Sequence, residues 1–291
     1  MPLSKHPTIG FVTCAEQRHL TADDLILAAA LKRRGAKVVP IVWSEMPPQS
    51  LACDLLLLRS CWDYHLQPQA FVVWVAEAYR SATVINAPEI VCWNMDKHYL
   101  LDLQAAGFAV PKTVVLEQGA RVVVEAMMDS AGFTQAVIKP AISLSAYETY
   151  LVPAEEAPRF QDKVSALLHD RAMLVQEFVP EIKTSGEWSL VFLGGEFSHA
   201  VSKLPKNGDF RVQHEYGASH ELAPPPPSVL QTASAILARF APQALYCRAD
   251  MVVRPQGATL MELELIDPVL HFELAPEAAE KMAGLIFPSK V

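Results

Sequence analysis

Three carboxylates lie close together in the C-terminal part of the sequence. Glu262 and Glu264 belong to the segment 261–268, and Asp250 lies in the apolar segment before it. Side chains in a β-strand alternate between two faces, so Glu262 and Glu264 point to the same side. Three carboxylates on one face raise the pKa of at least one of them unless a cation lies between them. Oxygen ligands suit Mg²⁺ or Mn²⁺, and a metal site and an ordinary solvent-facing edge strand explain this segment about equally well.

Two lysines occupy positions that packing does not explain. Lys139 closes the apolar segment 136–139, where a cation suits an anion bound at the carboxyl end of a strand. Lys97 lies at the start of a predicted helix at 96–107, where a cation gains nothing from the helix dipole. Taken singly, each lysine is better explained as a surface side chain whose apolar stem lies along the protein.

One segment suits the base of a nucleotide. It ends an apolar strand at a proline, as a hinge does, and comprises Gln176, Glu177, Phe178, Val179 and Pro180. Its backbone could contact an adenine edge, and Glu187 further along could bind ribose hydroxyls. An ordinary strand end explains the segment as well.

Further cationic side chains surround this segment in the sequence. Lys203 and Arg211 lie on successive predicted strands, and arginine is suited to clamp phosphate or carboxylate. Arg248 shares the predicted strand face of Asp250 and could pair with the carboxylates or contact a substrate. For His271, which follows the carboxylate segment, a capping or surface role is favoured over contact with a substrate.

The N-terminal third offers groups for a small substrate at the carboxyl ends of its strands, where ligands of α/β sheets bind. These groups are Thr13, Arg59, Asp63 and Tyr64. Arg59 directly follows an apolar strand and could clamp a carboxylate, whereas Asp63 could meet an amino group. Core packing explains Tyr64 and Trp62 better than contact with a ligand does.

Two different patterns of elements must position these residues. In the first hundred residues, apolar strands at 8–12, 37–43, 54–58 and 83–86 alternate with helices, which favours a parallel, doubly wound α/β layer. Thr21 is predicted to cap the first of these helices, and Gly35 to end it.

The second part of the chain favours an antiparallel or mixed sheet. Strands are predicted at 113–116, 136–139, 148–151, 173–178, 187–193, 196–204, 209–213, 245–254 and 258–266. Helices are predicted at 96–107, 119–130 and 155–168, and a further helix is capped by Ser228 after a run of four prolines. The fold class is therefore α/β, and α+β in the C-terminal part.

The composition excludes several classes of protein. Hydrophobic residues make up 51% of the 291, so the chain can bury a core and is not disordered. No apolar run approaches the roughly 18–20 residues that span a bilayer, and the first residues lead into a strand, so we expect a cytoplasmic protein with no membrane partner. A net charge of −8 argues against a nucleic-acid partner. The five cysteines form no metal-like cluster and are expected to be reduced thiols.

Taken in order, these features resemble the ATP-grasp superfamily over roughly residues 86–275. The order is a lysine at a helix start, a strand lysine, the hinge segment, an arginine segment, an aspartate and then Glu-x-Glu. The arginine segment, 208–211 (Gly-Asp-Phe-Arg), is similar to that of RimK-like and glutathione-synthetase-like carboxylate–amine ligases. More narrowly, the segments 59–64, 208–217 and 261–268 resemble the branch containing the O-ureido-serine cyclo-ligase of cycloserine biosynthesis.

The resemblance implies an ATP-grasp fold with an N-terminal, Rossmann-like parallel α/β domain in front of it. It divides the chain into the pre-ATP-grasp domain at 1–95, the small lid subdomain at 96–180 and the large C-terminal subdomain with the metal site at 181–291. It implies ATP binding by Lys97, Lys139, Ser143, Ser145, Gln176, Glu177, Phe178, Val179 and Glu187. It implies catalytic roles for Lys203, Arg211 and Arg248, and binding of Mg²⁺ or Mn²⁺ by Asp250, Glu262 and Glu264.

The implied activity is ligation of a small-molecule carboxylate, such as an amino acid, to a nitrogen nucleophile. ATP converts the carboxylate to an acylphosphate, which nitrogen attacks from a second molecule or within the same one. A small-molecule kinase and a non-catalytic nucleotide-binding module stay open as alternatives. The module is supported by Glu264, where many members carry Asn, and by the loop 140–146, which has no glycine. By analogy, a homodimer or homotetramer is expected.

Overall fold

Three β-sheets organise the part of the chain that the structure, a computed structural model, describes. That part comprises residues 5–206, 211–212 and 217–288. Gly208, Asp209 and Phe210 lie outside it, as does most of the strand predicted at 209–213. Among the described residues, no helix combines the length and the hydrophobicity that a membrane crossing requires.

The first sheet is parallel, as the alternation of strands and helices predicts. Its strands are β1 (Thr8–Thr13), β2 (Lys37–Val42), β3 (Leu55–Ser60) and β4 (Thr83–Ile85), in the spatial order β2-β1-β3-β4. Its helices are α1 (Ala22–Arg33), α2 (Pro68–Ser81) and α3 (Pro88–Met95). The Thr21 side chain accepts a hydrogen bond of 3.1 Å from the Asp24 backbone N–H, which confirms it as the cap of α1. The β3 residues are all buried, because helices cover both faces of the sheet.

The second sheet is antiparallel and carries helices on one face. Its strands are β5 (Thr113–Leu116), β6 (Gln135–Pro140), β7 (Tyr150–Pro153) and β8 (Met173–Glu177), in the order β5-β8-β6-β7. Helices α5 (Val124–Ala131) and α6 (Ala157–Asp170) pack on it, whereas the buried residues of α4 (Tyr99–Ala105) belong to a separate apolar cluster. Ile138 and Val175 face α5 and α6 in one apolar core, so the alternate residues Lys139 and Gln176 point the other way.

The third sheet is also antiparallel and holds the carboxylates. Its strands are β9 (Glu187–Leu193), β10 (Glu196–Leu204), β11 (Ser219–Leu222), β12 (Tyr246–Arg254) and β13 (Gly257–Glu264), in the order β11-β10-β9-β12-β13. The helices α7 (Glu181–Thr184), α8 (Pro227–Phe240) and α9 (Pro276–Ile286) accompany it. The prediction for Ser228 is wrong: α8 begins at Pro227, Pro226 occupies the cap position, and no side chain caps the helix.

The first and third sheets share an apolar core. Leu27 and Leu31 of α1 pack with Ala279 and Met282 of α9, and Tyr246 of β12 belongs to the same cluster. Helix α9, which is not among the predicted helices, joins the N-terminal layer to the sheet of carboxylates. Residues of α1 and α9 therefore pack together with residues of the third sheet.

Candidate functional site

A cavity of about 810 Å³ lies where residues of the second and third sheets face each other. Its size falls within the roughly 300–1,000 Å³ that is typical of small-molecule sites. The second sheet contributes Val137, Lys139 and Gln176. The third sheet contributes Glu187, Lys203, Arg248, Asp250, Glu262 and Glu264. Most of the residues predicted to bind nucleotide or metal therefore line one cavity, and Arg211 lines it as well.

Strand register explains why the polar residues of the third sheet share one face. Asp250 is paired with Glu262 on one side and with Ser189 on the other, and Arg248 is paired with Glu264. The intervening residues face the opposite side, where they pack in an apolar cluster that includes α8 residues. A regular alternation on three neighbouring strands thus produces a polar face within an otherwise apolar sheet.

Arg248 is the cation that lies between the carboxylates. Its Nη2 donates to Asp250 Oδ2 at 2.9 Å and also to Glu264 Oε1. Lys97 Nζ lies 3.1 Å from Glu262 Oε1, and Lys203 Nζ lies 3.4 Å from Asp250 Oδ1. Each of the three carboxylates is therefore paired with a cationic side chain.

These cations do not fully offset the negative charge on the face. Burial raises the pKa of Asp250, but Arg248 and Lys203 outweigh it and hold the pKa below its ordinary value. Burial raises the pKa of Glu264 to about 7, and the negative charges of Glu262 and Asp250 oppose the lowering by Arg248. Raised carboxylate pKa values indicate a place where further positive charge is favourable.

The chemistry of this face fits a divalent cation bound together with phosphates. Among the described residues, no three His, Cys, Asp or Glu side chains converge to hold a metal ion as they stand. Mg²⁺, however, is bound in proteins by one or two carboxylates and completes its shell with water and substrate phosphates. Asp250, Glu262 and Glu264 supply only oxygen donors, which is the ligand type that Mg²⁺ and Mn²⁺ prefer.

Two lysines line the cavity beside the carboxylate face. Lys97 is buried and its Nζ donates to the Ser143 carbonyl at 2.5 Å. Burial lowers the pKa of Lys139 to about 8; Lys97 adds to this effect and Glu262 opposes it. Lys97 lowers the pKa of Lys139 by repulsion, so an anion bound at these two cations would stabilise both charges.

The loop between β6 and β7 has a backbone that favours glycine, although it contains none. Ser145, Ala146 and Glu148 adopt the left-handed region, with φ values of 48°, 56° and 48°. Ser145 is exposed and lines the cavity, so its hydroxyl can reach a ligand. The Ser143 hydroxyl donates instead to the Pro140 carbonyl at 3.0 Å, so its proton is engaged within the loop.

The hinge segment forms an apolar end of the cavity. Val179 packs in a cluster with Ile182 and Val212, and Phe178 and Met261 pack against it. The side chains of Gln176 and Glu177, which precede Phe178, bond to neighbouring protein residues. Glu177 accepts from Arg254 at 2.6 Å, and Gln176 donates to Thr113 Oγ1 at 2.9 Å, which ties the strand end to its neighbours.

Glu187 lies beside the carboxylate face because of a close backbone approach. Gly186 has a φ of +71°, and a Cβ there would lie 2.2 Å from the Lys203 carbonyl oxygen. Only glycine therefore permits β9 to begin next to β10 at this point. Glu187 then pairs with Lys203 at 3.3 Å, and burial, with the nearby Asp250 charge, raises the pKa of Glu187 to about 7.

The four residues predicted to contact substrate are not among those that line the cavity. Arg59 is 1% exposed and pairs with Asp24 at 2.8 Å and Asp23 at 3.6 Å, so the structure corrects its assignment as a substrate clamp. Thr13 is fully buried and its hydroxyl bonds with that of Ser60.

The other two predicted substrate residues are also engaged elsewhere. Asp63 accepts a hydrogen bond of 2.5 Å from Trp43 Nε1, and Tyr64 stacks on Phe71 in the core. Core packing was the favoured explanation for Tyr64. Trp62, for which the same was expected, instead lines the cavity and donates to the Asp267 carbonyl.

Several residues at this end of the cavity were not predicted. Asp23, His220, Glu273 and Leu274 line it, and so does His271, for which a surface role was favoured. Two asparagines behind the site were also missed. Asn86 donates to the Leu265 carbonyl, and Asn94 donates to the Leu263 carbonyl and accepts from the Leu265 N–H, on either side of Glu264. Asn86 follows β4 and Asn94 lies within α3, and neither position carries a sequence signal for such a role.

Comparisons with known proteins show similarity in both sequence and fold. Residues 9–86 match a family model described as the N-terminal domain of D-cycloserine synthetase DcsG. The cycloserine biosynthesis protein DcsG of Streptomyces lavendulae is 25% identical, over 94% of this chain and 96% of that protein. The crystal structure of D-cycloserine synthetase DcsG superimposes with a TM-score of 0.86 at 21% identity, covering 96% of this chain and 98% of the other.

The chain has the fold of ATP-grasp proteins. A RimK-domain ATP-grasp protein from Sphaerobacter thermophilus has a TM-score of 0.70 at 19% identity, with 96% of this chain and 97% of that one covered. The D-alanine–D-alanine ligase of Bacillus anthracis, solved with ATP, superimposes with a TM-score of 0.69 at 16% identity, with 97% of each chain covered. The ATP-grasp fold and the parallel N-terminal layer, both predicted from the sequence, are thereby confirmed.

Proposed function

We propose that this ATP-grasp protein activates a carboxylate with ATP and joins it to a nitrogen nucleophile. The observation that carries the proposal is the division of one cavity into three parts. One part is apolar around Phe178 and Val179, one is cationic around Lys97 and Lys139, and one is the carboxylate face. An adenine, a triphosphate and a divalent cation need these three environments.

The chain's own residues then have distinct roles. The hinge segment encloses the base, and Glu187 accepts from the ribose hydroxyls. Lys97, Lys139 and the exposed Ser145 bind phosphate oxygens. Asp250, Glu262 and Glu264 would hold Mg²⁺, which would neutralise charge on the transferred phosphoryl group.

The reaction proceeds in two balanced steps. A carboxylate oxygen attacks the γ-phosphorus, the bond to the β-phosphate oxygen breaks, and an acylphosphate and ADP form. A nitrogen then attacks the acyl carbon, the carbon–oxygen bond to phosphate breaks, and the nitrogen loses a proton. Lys203, Arg211 and Arg248 line the cavity and stabilise the negative charge that develops in both steps.

We infer that the substrate resembles an amino acid and that ring closure within one molecule is its reaction. Support comes from the relatives, which include a cycloserine biosynthesis protein, a D-alanine–D-alanine ligase and a macrocyclase. The cytoplasm suits such a reaction, since ATP is available there and all five cysteines are free thiols. Whether the chain acts as a homodimer or homotetramer is tested by light scattering of the purified protein.

The test measures ADP and trapped acyl groups together. The purified chain is incubated with ATP, Mg²⁺, a panel of D- and L-amino acids, and hydroxylamine as a general nitrogen trap. We expect ADP and a hydroxamate in equal amounts for at least one amino acid. When hydroxylamine is omitted, continued ADP release with that amino acid alone indicates ring closure or self-ligation, and mass spectrometry of the product separates these two.

Three other outcomes contradict the proposal. A stable phosphorylated product without hydroxamate indicates a kinase. ATP binding without ADP formation across the panel indicates a non-catalytic nucleotide-binding module. Failure to bind ATP in the presence of Mg²⁺ excludes both the ligase and its alternatives.

A further inference from the structure

His271 places an unsatisfied imidazole nitrogen at the end of the cavity. The residue is 8% exposed, lines the cavity, and follows the strand that carries Glu262 and Glu264. Its Nε2 is buried and has no hydrogen-bond partner within the described residues. A buried polar atom without a partner is costly, so a polar group that faces a cavity in this way is suited to a ligand.

The backbone around His271 is held in an uncommon conformation. His271 has a φ of +56°, in the left-handed region. The Asp23 carboxylate accepts from the backbone N–H groups on both sides of it, at Leu270 and Phe272. Arg248 donates to the carbonyl of Val269 at 3.1 Å. A strained conformation that several neighbours impose is typical of residues with a functional role.

The same segment is anchored from the N-terminal layer and from the third sheet. Arg59 Nη2 donates to the Pro268 carbonyl at 3.2 Å, and Trp62 Nε1 donates to the Asp267 carbonyl at 3.1 Å. His199 Nε2 lies 2.9 Å from the Leu270 carbonyl oxygen. These contacts hold the backbone that carries His271, whose side chain is buried against the cavity.

The charges near His271 keep its imidazole neutral. Burial lowers the pKa of His271 well below its ordinary value, and the nearby cations Lys203 and Arg248 lower it further, against the opposing effect of Asp250. A neutral imidazole has one donor nitrogen and one acceptor nitrogen. Lys203 and Arg248 can only donate to a ligand, whereas the neutral imidazole offers the acceptor nitrogen that an N–H group requires.

We propose that His271 Nε2 accepts a hydrogen bond from an N–H group of the substrate, so that the enzyme selects carboxylates that carry an amino group at this end of the cavity. This inference rests on the proposed ligase function and names the substrate class of the same site. The imidazole recognises the N–H and takes no part in forming or breaking bonds.

The test compares each amino acid with the same carboxylate lacking the amino group. Hydroxamate formation with ATP and Mg²⁺ is measured for two sets of carboxylates. D- and L-alanine are compared with propionate, and D- and L-serine are compared with 3-hydroxypropionate. The variants are His271→Ala and His271→Phe, with His169→Ala as a matched control because His169 is exposed on α6. We expect His271→Ala to raise KM at least tenfold for the preferred amino acid and less than twofold for its partner without nitrogen, with KM for ATP unchanged.

Each other outcome has a distinct meaning. If KM rises equally for both members of a pair, or for neither, the inference is wrong although the ligase function stands. If the wild-type chain forms no hydroxamate from any carboxylate, the proposed function is wrong and the inference is lost with it. If His271→Ala does not fold, as judged by its thermal unfolding, the same comparison is made with His271→Phe, whose ring has no acceptor nitrogen.

Discussion

Replacement of Arg59 by methionine distinguishes a structural cation from a substrate clamp. The guanidinium is 1% exposed and pairs with Asp24 at 2.8 Å, while Asp23 lies at 3.6 Å. Both carboxylates are themselves almost fully buried. Methionine retains the apolar stem of the arginine but removes the charge, so it leaves two buried carboxylates without their cation.

The expected loss in the free energy of unfolding follows from the burial of this ion pair. Removal of one partner from a buried ion pair costs about 3–5 kcal/mol, because the remaining charge is left unpaired in the interior. The exposed pair Arg18–Glu45, in which each side chain is 48% exposed, provides the matched control. Arg18→Met should lower the free energy of unfolding by no more than about 1 kcal/mol, since water screens that pair.

Urea unfolding of Arg59→Met, Arg18→Met and the wild type measures how much each substitution lowers the free energy of unfolding. A second substitution, Asp24→Asn, should restore part of the stability lost in Arg59→Met, because it removes one of the unpaired charges. The reasoning is refuted if Arg59→Met unfolds like Arg18→Met while its KM for the carboxylate substrate rises tenfold. That result would restore Arg59 as the substrate clamp that the sequence predicted.

Four further outcomes are expected. Glu262→Gln should lower ADP formation by at least about 100-fold, because a metal-held charge contributes several kcal/mol to the transition state, whereas the exposed control Glu125→Gln should not. Lys139→Met should weaken ATP binding at least about tenfold in a calorimetric titration, since it removes a cation that faces the phosphates. Asn94→Leu should lower the free energy of unfolding by about 2–4 kcal/mol in urea, because it leaves two buried backbone groups next to the carboxylates unpaired. Ala146→Gly should leave that free energy unchanged or raise it by up to about 1 kcal/mol, since the left-handed φ costs alanine roughly 1–2 kcal/mol; a lower value would show that the loop does not adopt this conformation.

The sequence predicted those parts of the site that depend on local periodicity. Glu262 and Glu264 share a face because side chains alternate along a strand. Lys139 faces the cavity because the side chain before it, Ile138, points into the core on the other face. The parallel order of the first sheet also follows from its alternation of strands and helices. In each case the spacing along the chain is enough to determine the direction of a side chain.

The parts that were not predicted depend on contacts between distant segments. An arginine after an apolar strand indicates a buried charge that needs a partner, but it does not reveal whether the partner is a ligand or a carboxylate on α1. Arg59 and Asp24 lie 35 residues apart, and Asp23 bonds to a backbone N–H 249 residues away. Similarly, nothing in the residues near Asn94 predicts that its side chain completes the backbone hydrogen bonds of β13.

The segment 59–64, which carries much of the family resemblance, therefore positions the site and contributes Trp62 alone to its wall. Arg59 and Trp62 donate to two successive carbonyls, those of Pro268 and Asp267, just before His271. The ion pair of Arg59 with Asp23 also orients the carboxylate that holds the backbone on both sides of that histidine. A substitution in this segment should consequently affect stability and amino-group selection together, because the same buried contacts serve both. If Arg59→Met lowers stability as expected and yet leaves the ratio of KM for the amino acid to KM for its nitrogen-free partner unchanged, the segment stabilises the fold but does not position His271.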